Sequence, residues 1–372
     1  MRRTRLPVAT LLAVSLLLSA CGDDDQEAEP ETAAAAKQTV VEAPPTEPPA
    51  EIQVTAALPK PPPKGKKVIF LQCELPACER YVPGVENAAA ALGWSAEVQV
   101  FKNANPGAGL QQAIVARPDY IAITGIPTAA IAPQLEAADE AGIPVISCAT
   151  PDEPAPGGYA AQCGGTLEVD ADYLGRWVVN DSGGDAHVVA VTIPQFPVLN
   201  TETDWFKTKF EGICSSCSFD QLDVTVQDVA GGAVAQKVVA YLQSHPDTNY
   251  VYFTFNDLTR GVPPALKAAG LGEKVKLVGA AGDASIMKEI GDEQAAWTIA
   301  PNVYSAWVVF DAMARLSVGE QLTDEYASKI YASPTWVVDS ADSARLLEPT
   351  GYDWFGPAGF EEQFKQLWQV GG

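Results

Sequence analysis

From residue 66 onward, short apolar runs alternate with segments whose apolar residues recur every three or four positions. The runs KVIFLQ (67–72), AEVQVF (96–101), YIAIT (120–124) and PVISC (144–148) read as strands. The amphipathic stretches 82–92, 110–116 and 129–141 between them read as helices. Such a series predicts a mostly parallel sheet covered by helices on both faces. The rhythm then begins again, with HVVAVTI, LDVTV, YVYFTF and KLVGAAG as strands and 203–213, 233–244 and 258–269 as helices. Two series over about 280 residues predict an α/β chain with two doubly wound parallel-sheet lobes. Beyond the last expected strand, Phe360, Phe364, Leu367 and Trp368 keep helical spacing. They predict an added helix packed on a lobe, with a partner-docking helix as the alternative.

The first 65 residues lack this rhythm. Arg2, Arg3 and Arg5 precede an apolar run from Leu11 to Leu18, too short to cross a bilayer and laid out as a secretory signal over 1–20. Ser19 and Ala20 then lead into Cys21, and Leu18-Ser19-Ala20-Cys21 resembles the lipobox of bacterial lipoproteins. That resemblance implies cleavage before Cys21 and diacylglycerol on its sulfur, which anchors a protein without a transmembrane helix. Residues 21–65 are rich in Glu, Ala and Pro, including APPTEPP and PKPPPKGKK, with hardly any aromatic residues. They predict a disordered tether, whose ends would average about 35 Å apart as a flexible coil.

Charge and cysteine content narrow the partners. The chain carries 24 Lys and Arg against 47 Asp and Glu, a formal net charge of −23, and signal cleavage would remove three of the basic groups. A surface of that sign repels nucleic acid and anionic lipid headgroups. Besides Cys21 there are six cysteines, and an exported chain favours disulfides. Short separations favour Cys73 with Cys78, Cys148 with Cys163, and Cys214 with Cys217, among the 15 pairings that six thiols allow. Cys214-Ser-Ser-Cys217 also has thioredoxin-like spacing, but it ends a helical stretch and lacks the helix N-terminal field that activates a thiol. The two histidines, His187 and His245, have no cysteine at ligand spacing, so no metal and no cofactor are expected.

Three longer stretches carry a family resemblance. GVENAAAALGW, PDYIAITGIPTAAIAPQLEAADEAGIPVI and YVYFTFNDLTRGVPPALKAAG, within 66–321, resemble the type I periplasmic binding proteins of cluster B, the ribose-binding and sugar-binding group. The resemblance implies two lobes joined by a three-segment hinge, with crossings near Gly164, Pro301 and Tyr331, and a ligand enclosed between them by hinge closure. The first lobe is then 66–164 plus 302–331, the second 165–301 plus 332–345, and 346–372 an extension. It further implies delivery to an ABC permease by an extracytoplasmic, monomeric protein whose lipid is its membrane contact.

In open parallel sheets ligands sit beyond the carboxyl ends of the strands. The strand-exit loops are 72–81, 124–128, 147–153, 193–205, 255–259, 279–285 and 300–304. Ribose-type sites use charged or amide side chains where this chain has Ala149-Thr150, Ala281 and Pro301, and paired phenylalanines where it has Ala77 and Cys78; Asn256 and Pro76 are kept. Without fixed charged partners, each buried sugar hydroxyl would cost about 1–3 kcal/mol. The expected ligand is therefore largely uncharged, with apolar or aromatic surface. Tyr81, Phe196, Trp205, Phe255 and Tyr304 are the candidate walls, and Gln72, Glu74, Thr124, Thr150, Asn200, Asn256, Asp283 and Asn302 the candidate polar contacts.

Two other function classes compete. A ligand-sensing receptor for a membrane kinase or chemoreceptor would use the same lobes. Ser285-Ile286-Met287-Lys288 fits the Ser-x-x-Lys of envelope hydrolases, but no companion Ser-x-Asn and Lys-Thr-Gly elements, Gly-x-Ser-x-Gly elbow or P-loop accompany it, so a non-enzyme is expected.

Overall fold

The computed structural model describes residues 41–74, 76–150, 152–163, 167–322 and 334–371. The expected signal, Cys21, the first half of the tether and the crossings near Gly164 and Tyr331 lie outside them. No helix among the described residues is long and apolar enough to cross a membrane.

The first lobe holds a parallel sheet of β1 (Lys67–Gln72), β2 (Ser95–Val100), β3 (Tyr120–Thr124), β4 (Val145–Cys148) and β5 (Ala161–Gln162), in the order β2-β1-β3-β4-β5. β3 is buried at every residue, whereas edge strand β2 has none buried. Covering on both faces requires the unbroken apolar run, and an edge does not. Helices α1 (Val82–Leu92), α2 (Pro106–Val115) and α3 (Thr128–Glu140) complete the winding. α3 kinks at Ile131, just ahead of Pro133, whose ring nitrogen has no hydrogen to donate.

The second lobe repeats the plan after helix α4 (Leu167–Ser182), with β6 (His187–Thr192), β7 (Ser218–Asp223), β8 (Tyr250–Phe253), β9 (Lys276–Gly279), β10 (Ala296–Thr298) and β11 (Val337–Val338). Their order is β11-β10-β9-β8-β6-β7, and only β11 runs antiparallel to its neighbour. The helices are α5 (Pro197–Ile213), α6 (Val234–Ser244) and α7 (Val262–Ala268).

Local pattern and structure part company at three places. The strand expected at LDVTV lies earlier, at β7: Val224 enters the core and Thr225 and Asp228 form a capping box that starts a helical turn. The helix expected over 258–269 splits at Gly261, which sits at φ 77°, into a short 3-10 turn and α7. α4 shows no apolar run, because it pairs polar residues outside with Ala171, Leu174 and Val178 inside.

Helix α8 (Asn302–Ser317) follows β10 across the described crossing and is buried from Asn302 to Arg315. It packs against α1, the C-terminal helix α9 (Phe360–Leu367) and the N-terminal segment. Phe360, Phe364 and Trp368 enter the first-lobe core, and Trp368 stacks on Trp307 with ring centroids 5.2 Å apart. Buried Asp311 is satisfied by Arg315 Nε at 2.8 Å and Trp368 Nε1 at 2.8 Å. Arg315 reaches the Ala56 carbonyl at 2.6 Å.

Residues 41–65, which composition predicts to be a free spacer, instead lie along both lobes. Val41 exchanges two hydrogen bonds of 3.0 Å with the Asn180 side chain of α4, and the Pro45 carbonyl accepts the β11 Val337 N–H at 2.9 Å. Ile52, Val54 and Leu58 are then buried in the first-lobe core, and Trp94 Nε1 donates to the Pro63 carbonyl. The composition rule counts apolar residues as though each segment had to build its own core. Here three suffice because the core already exists, and the prolines lower the entropy lost on docking.

Candidate functional site

The carboxyl ends of both sheets carry the expected loops. In the first lobe two disulfides brace them. β1 runs into Cys73, which is bonded to Cys78, and Thr124 at the end of β3 donates its hydroxyl to Cys78 Sγ at 3.4 Å. Cys148 at the end of β4 is bonded to Cys163 beside β5. The third pair, Cys214–Cys217, joins the exit of α5 to β7, away from these loops. Four of the six bonded cysteines thus lock strand-exit backbone, removing loop freedom where a binding surface must keep its shape.

Asp152 organises the β4 exit. Thr128 donates to its carboxylate at 2.6 Å, Thr150 donates to the other oxygen, and Gln162 Nε2 donates to its carbonyl at 2.5 Å. Thr150 is therefore committed to its own loop. Ala149 at φ 52° and Ala281 at φ 53°, at the exits of β4 and β9, both occupy the left-handed region unfavourable to residues with a Cβ. Strain of this kind collects at ligand clamps.

In the second lobe Asn256 and Asp283 come together, the Asn256 amide donating to Asp283 Oδ2 at 2.6 Å. Asp283 also accepts from the Ser285 N–H at 2.9 Å and the Ser285 hydroxyl at 2.6 Å, and caps the turn that follows. Burial pushes this carboxyl up, but the Ser285 and Ile286 donors and nearby Arg80 outweigh it and hold it below the usual range. Asp257 shifts the other way, raised mainly by burial. Asn256 and Asp283 line a cavity of about 420 Å³ with Asp257, Thr259, Arg260 and Ser285. Ser285 and Lys288 do not pair as nucleophile and base: the hydroxyl is held by Asp283, and the ammonium lies 5.6 Å from the centre of the Tyr352 ring.

The other expected residues divide. Gln72, Thr124, Phe196, Asn200, Phe255 and Asn302 lie at strand exits or helix starts, with Phe255 buried in the second-lobe core and the Asn200 amide donating to the Pro194 carbonyl. Glu74 is tied to Lys102 at 2.6 Å, and its charge is stabilised mainly by that bond. Tyr81 is buried beside Phe70, and burial pushes its hydroxyl up to about 12. Trp205 packs on the α4–α5 layer of the second lobe. Tyr304 is buried under α9 against Phe360 and Phe364, its hydroxyl accepting the Gln53 N–H. Tyr304 and Trp205 are packing residues, since the C-terminal helix and the α4–α5 layer claim their apolar faces.

Two residues outside the expected set join the lobes. Arg80 of the first lobe donates to Asp353 at 2.6 Å and to the second-lobe Gly282 carbonyl at 3.4 Å. Arg80 is the single basic residue in the seven strand-exit loops, a signal legible in the chain; Asp353, 273 positions away, carries none.

The model of the periplasmic binding protein domain matches residues 78–321, from the disulfide-braced rim to the end of α8. This chain belongs to the periplasmic binding protein family. Solved members share the fold at low identity. The periplasmic ribose ABC transporter of Conexibacter woesei DSM 14684 superimposes with a TM-score of 0.66 at 17% identity, covering 77% of this chain and 96% of its own. An ABC transporter solute binding protein from Agrobacterium vitis with bound allitol gives 0.65 at 18%, covering 77% and 99%. The 5-methylthioribose transporter solute binding protein of Thermotoga lettingae TMO, in complex with 5-methylthioribose, gives 0.64 at 17%, covering 84% and 99%. No curated protein sequence matches the chain. The family's type I fold is the two-lobed arrangement described above, and N-terminal segment 41–65 and C-terminal helix α9 lie outside the matched residues.

Proposed function

We propose that this protein is an extracytoplasmic solute receptor that takes a small, largely uncharged molecule between its lobes and delivers it to an ABC importer. The observation that carries the reading is the pair of strand-exit rims: braced by disulfides on one lobe, and on the other presenting the Asn256 amide held by Asp283. In the described loops the Thr150 hydroxyl, Asp283 and Arg80 are already engaged by their neighbours, and half-buried Phe196 offers apolar surface. A modified sugar with an apolar substituent suits such a surface better than a fully hydroxylated pentose. The 5-methylthioribose held by one solved neighbour is of this chemical kind. Lipid on Cys21 would keep the receptor beside its permease.

A thermal-shift series on the purified protein tests the reading. Pentoses, hexoses and polyols are compared with alkylthio-sugars and neutral aromatic metabolites. A ligand at about 100 times its dissociation constant adds about 2.7 kcal/mol of stability, a rise of several degrees. A shift confined to compounds with apolar surface is expected. A strong shift with an unmodified pentose alone would overturn the ligand assignment, and no shift with any neutral solute would overturn the receptor reading.

A further inference from the structure

Arg80 ties together parts of the molecule that a binding cycle must separate. Its backbone stands between the disulfide-bonded turn Pro76–Glu79 and α1, whose inner face packs on α8, so it moves with the first lobe. Gly282 moves with the second lobe, its N–H bonded to the Thr298 carbonyl of β10 at 2.9 Å. Asp353 moves with the second lobe too. Next to it, Trp354 is buried in that core, edge-on to Trp336 with centroids 6.3 Å apart, and the Trp354 N–H fixes the Asp353 carboxylate at 2.8 Å. On the other side, the Tyr352 N–H donates to the carbonyl of Leu347, itself a second-lobe core residue. Two residues beyond Asp353, at Phe355, the chain returns to the first lobe, the Phe355 carbonyl accepting the Tyr304 N–H of α8 at 2.9 Å, so the extension spans both lobes beside this bond.

We propose that Arg80, Asp353 and the Gly282 carbonyl form a latch that holds the lobes together before solute arrives, with the C-terminal extension supplying its acidic half. The proposal rests on the reading that the lobes part to admit a solute. Both side chains keep some solvent contact, 18% for Arg80 and 27% for Asp353, so water replaces either partner when the bond opens. A part-exposed pair of this kind biases an equilibrium modestly, by up to about fivefold, which suits a reversible catch. Opening therefore exchanges one ion pair for hydration and leaves the cores of both lobes intact.

Solution scattering and amide hydrogen exchange on the ligand-free full chain test the latch with Arg80→Gln, Asp353→Asn and the conservative Arg80→Lys. Each of the first two should raise the radius of gyration and speed exchange at residues 280–286 by up to about fivefold, and Arg80→Lys, which keeps the cation and its donors, should stay near the wild type in both. Charge-removing variants that match the wild type, or a lysine variant as open as they are, would overturn the proposal. Because no solute is present, failure of the latch leaves the receptor reading standing, and failure to bind any solute leaves this measurement valid.

Discussion

Glu202 shows how far a single carboxyl can be moved by its surroundings. It lies fully buried on α5, with one oxygen accepting the Tyr252 hydroxyl at 2.5 Å and the other without a partner among the described residues. Burial drives its pKa well above the ordinary 4.5, the Tyr252 bond opposes this, and neighbouring Asp170 adds to it. The native state then binds a proton that the unfolded state has already released. Stability contributed by the group is full below about pH 4.5 and is lost as pH rises toward the native value. Glu202→Gln should flatten that part of the pH dependence, measured as denaturant midpoints across pH 4–8. An equal fall in wild type and variant would assign the dependence to other groups.

At the scale of elements, α8 is the axle of the first lobe. Its charged pair Asp311–Arg315 is tolerated because the Trp368 donor at the end of α9 and an acceptor from the N-terminal segment complete it. A buried ion pair with satisfied partners need not stabilise, but removing one partner leaves a charge stranded. Trp368 both stacks on Trp307 and donates to Asp311. Trp368→Ala should therefore cost about 3–5 kcal/mol by urea unfolding, at the upper end for a large core residue. A loss below about 1 kcal/mol would show α9 to be a loosely laid appendage.

At the scale of the molecule, both chain ends reach across the lobes. The N-terminal segment touches the second lobe at Val41 and Pro45 and the first at Ile52 through Pro63. Removing residues 41–58 should lower the melting point sharply. It strips three buried aliphatic side chains, each worth about 1.5–3 kcal/mol, and takes the Ala56 carbonyl from Arg315. Calorimetry of forms beginning at residues 41 and 59 checks this, and equal melting points would return the segment to the status of a free spacer.

Hydrophobic periodicity is local, and what is local was legible. The runs expected at 67–72, 120–124, 187–193 and 250–255 are strands, the last two ending at Thr192 and Phe253, and the α/β order follows from them. The three disulfides join cysteines at most 15 positions apart, which short separation favours. Asn256 stands in one of the strand-exit loops, beside Asp283. Side-chain destinations were not legible, because an aromatic residue is equally apolar in a cleft or under a helix. Tyr304 lies at a helix start as a ligand-facing residue would, yet α9, more than fifty positions on, covers it. Composition marked 41–65 as a spacer because it has too few apolar residues to fold alone; the core that receives Ile52, Val54 and Leu58 is built from distant elements. Arg80 and Asp353 meet only when both lobes and the returning extension are in place. The elements, their order and the short-range crosslinks depend on neighbours along the chain, so the amino-acid order specifies them. Which side chains are walled off and what joins the lobes depend on surfaces made by segments far apart, which exist only in the folded molecule.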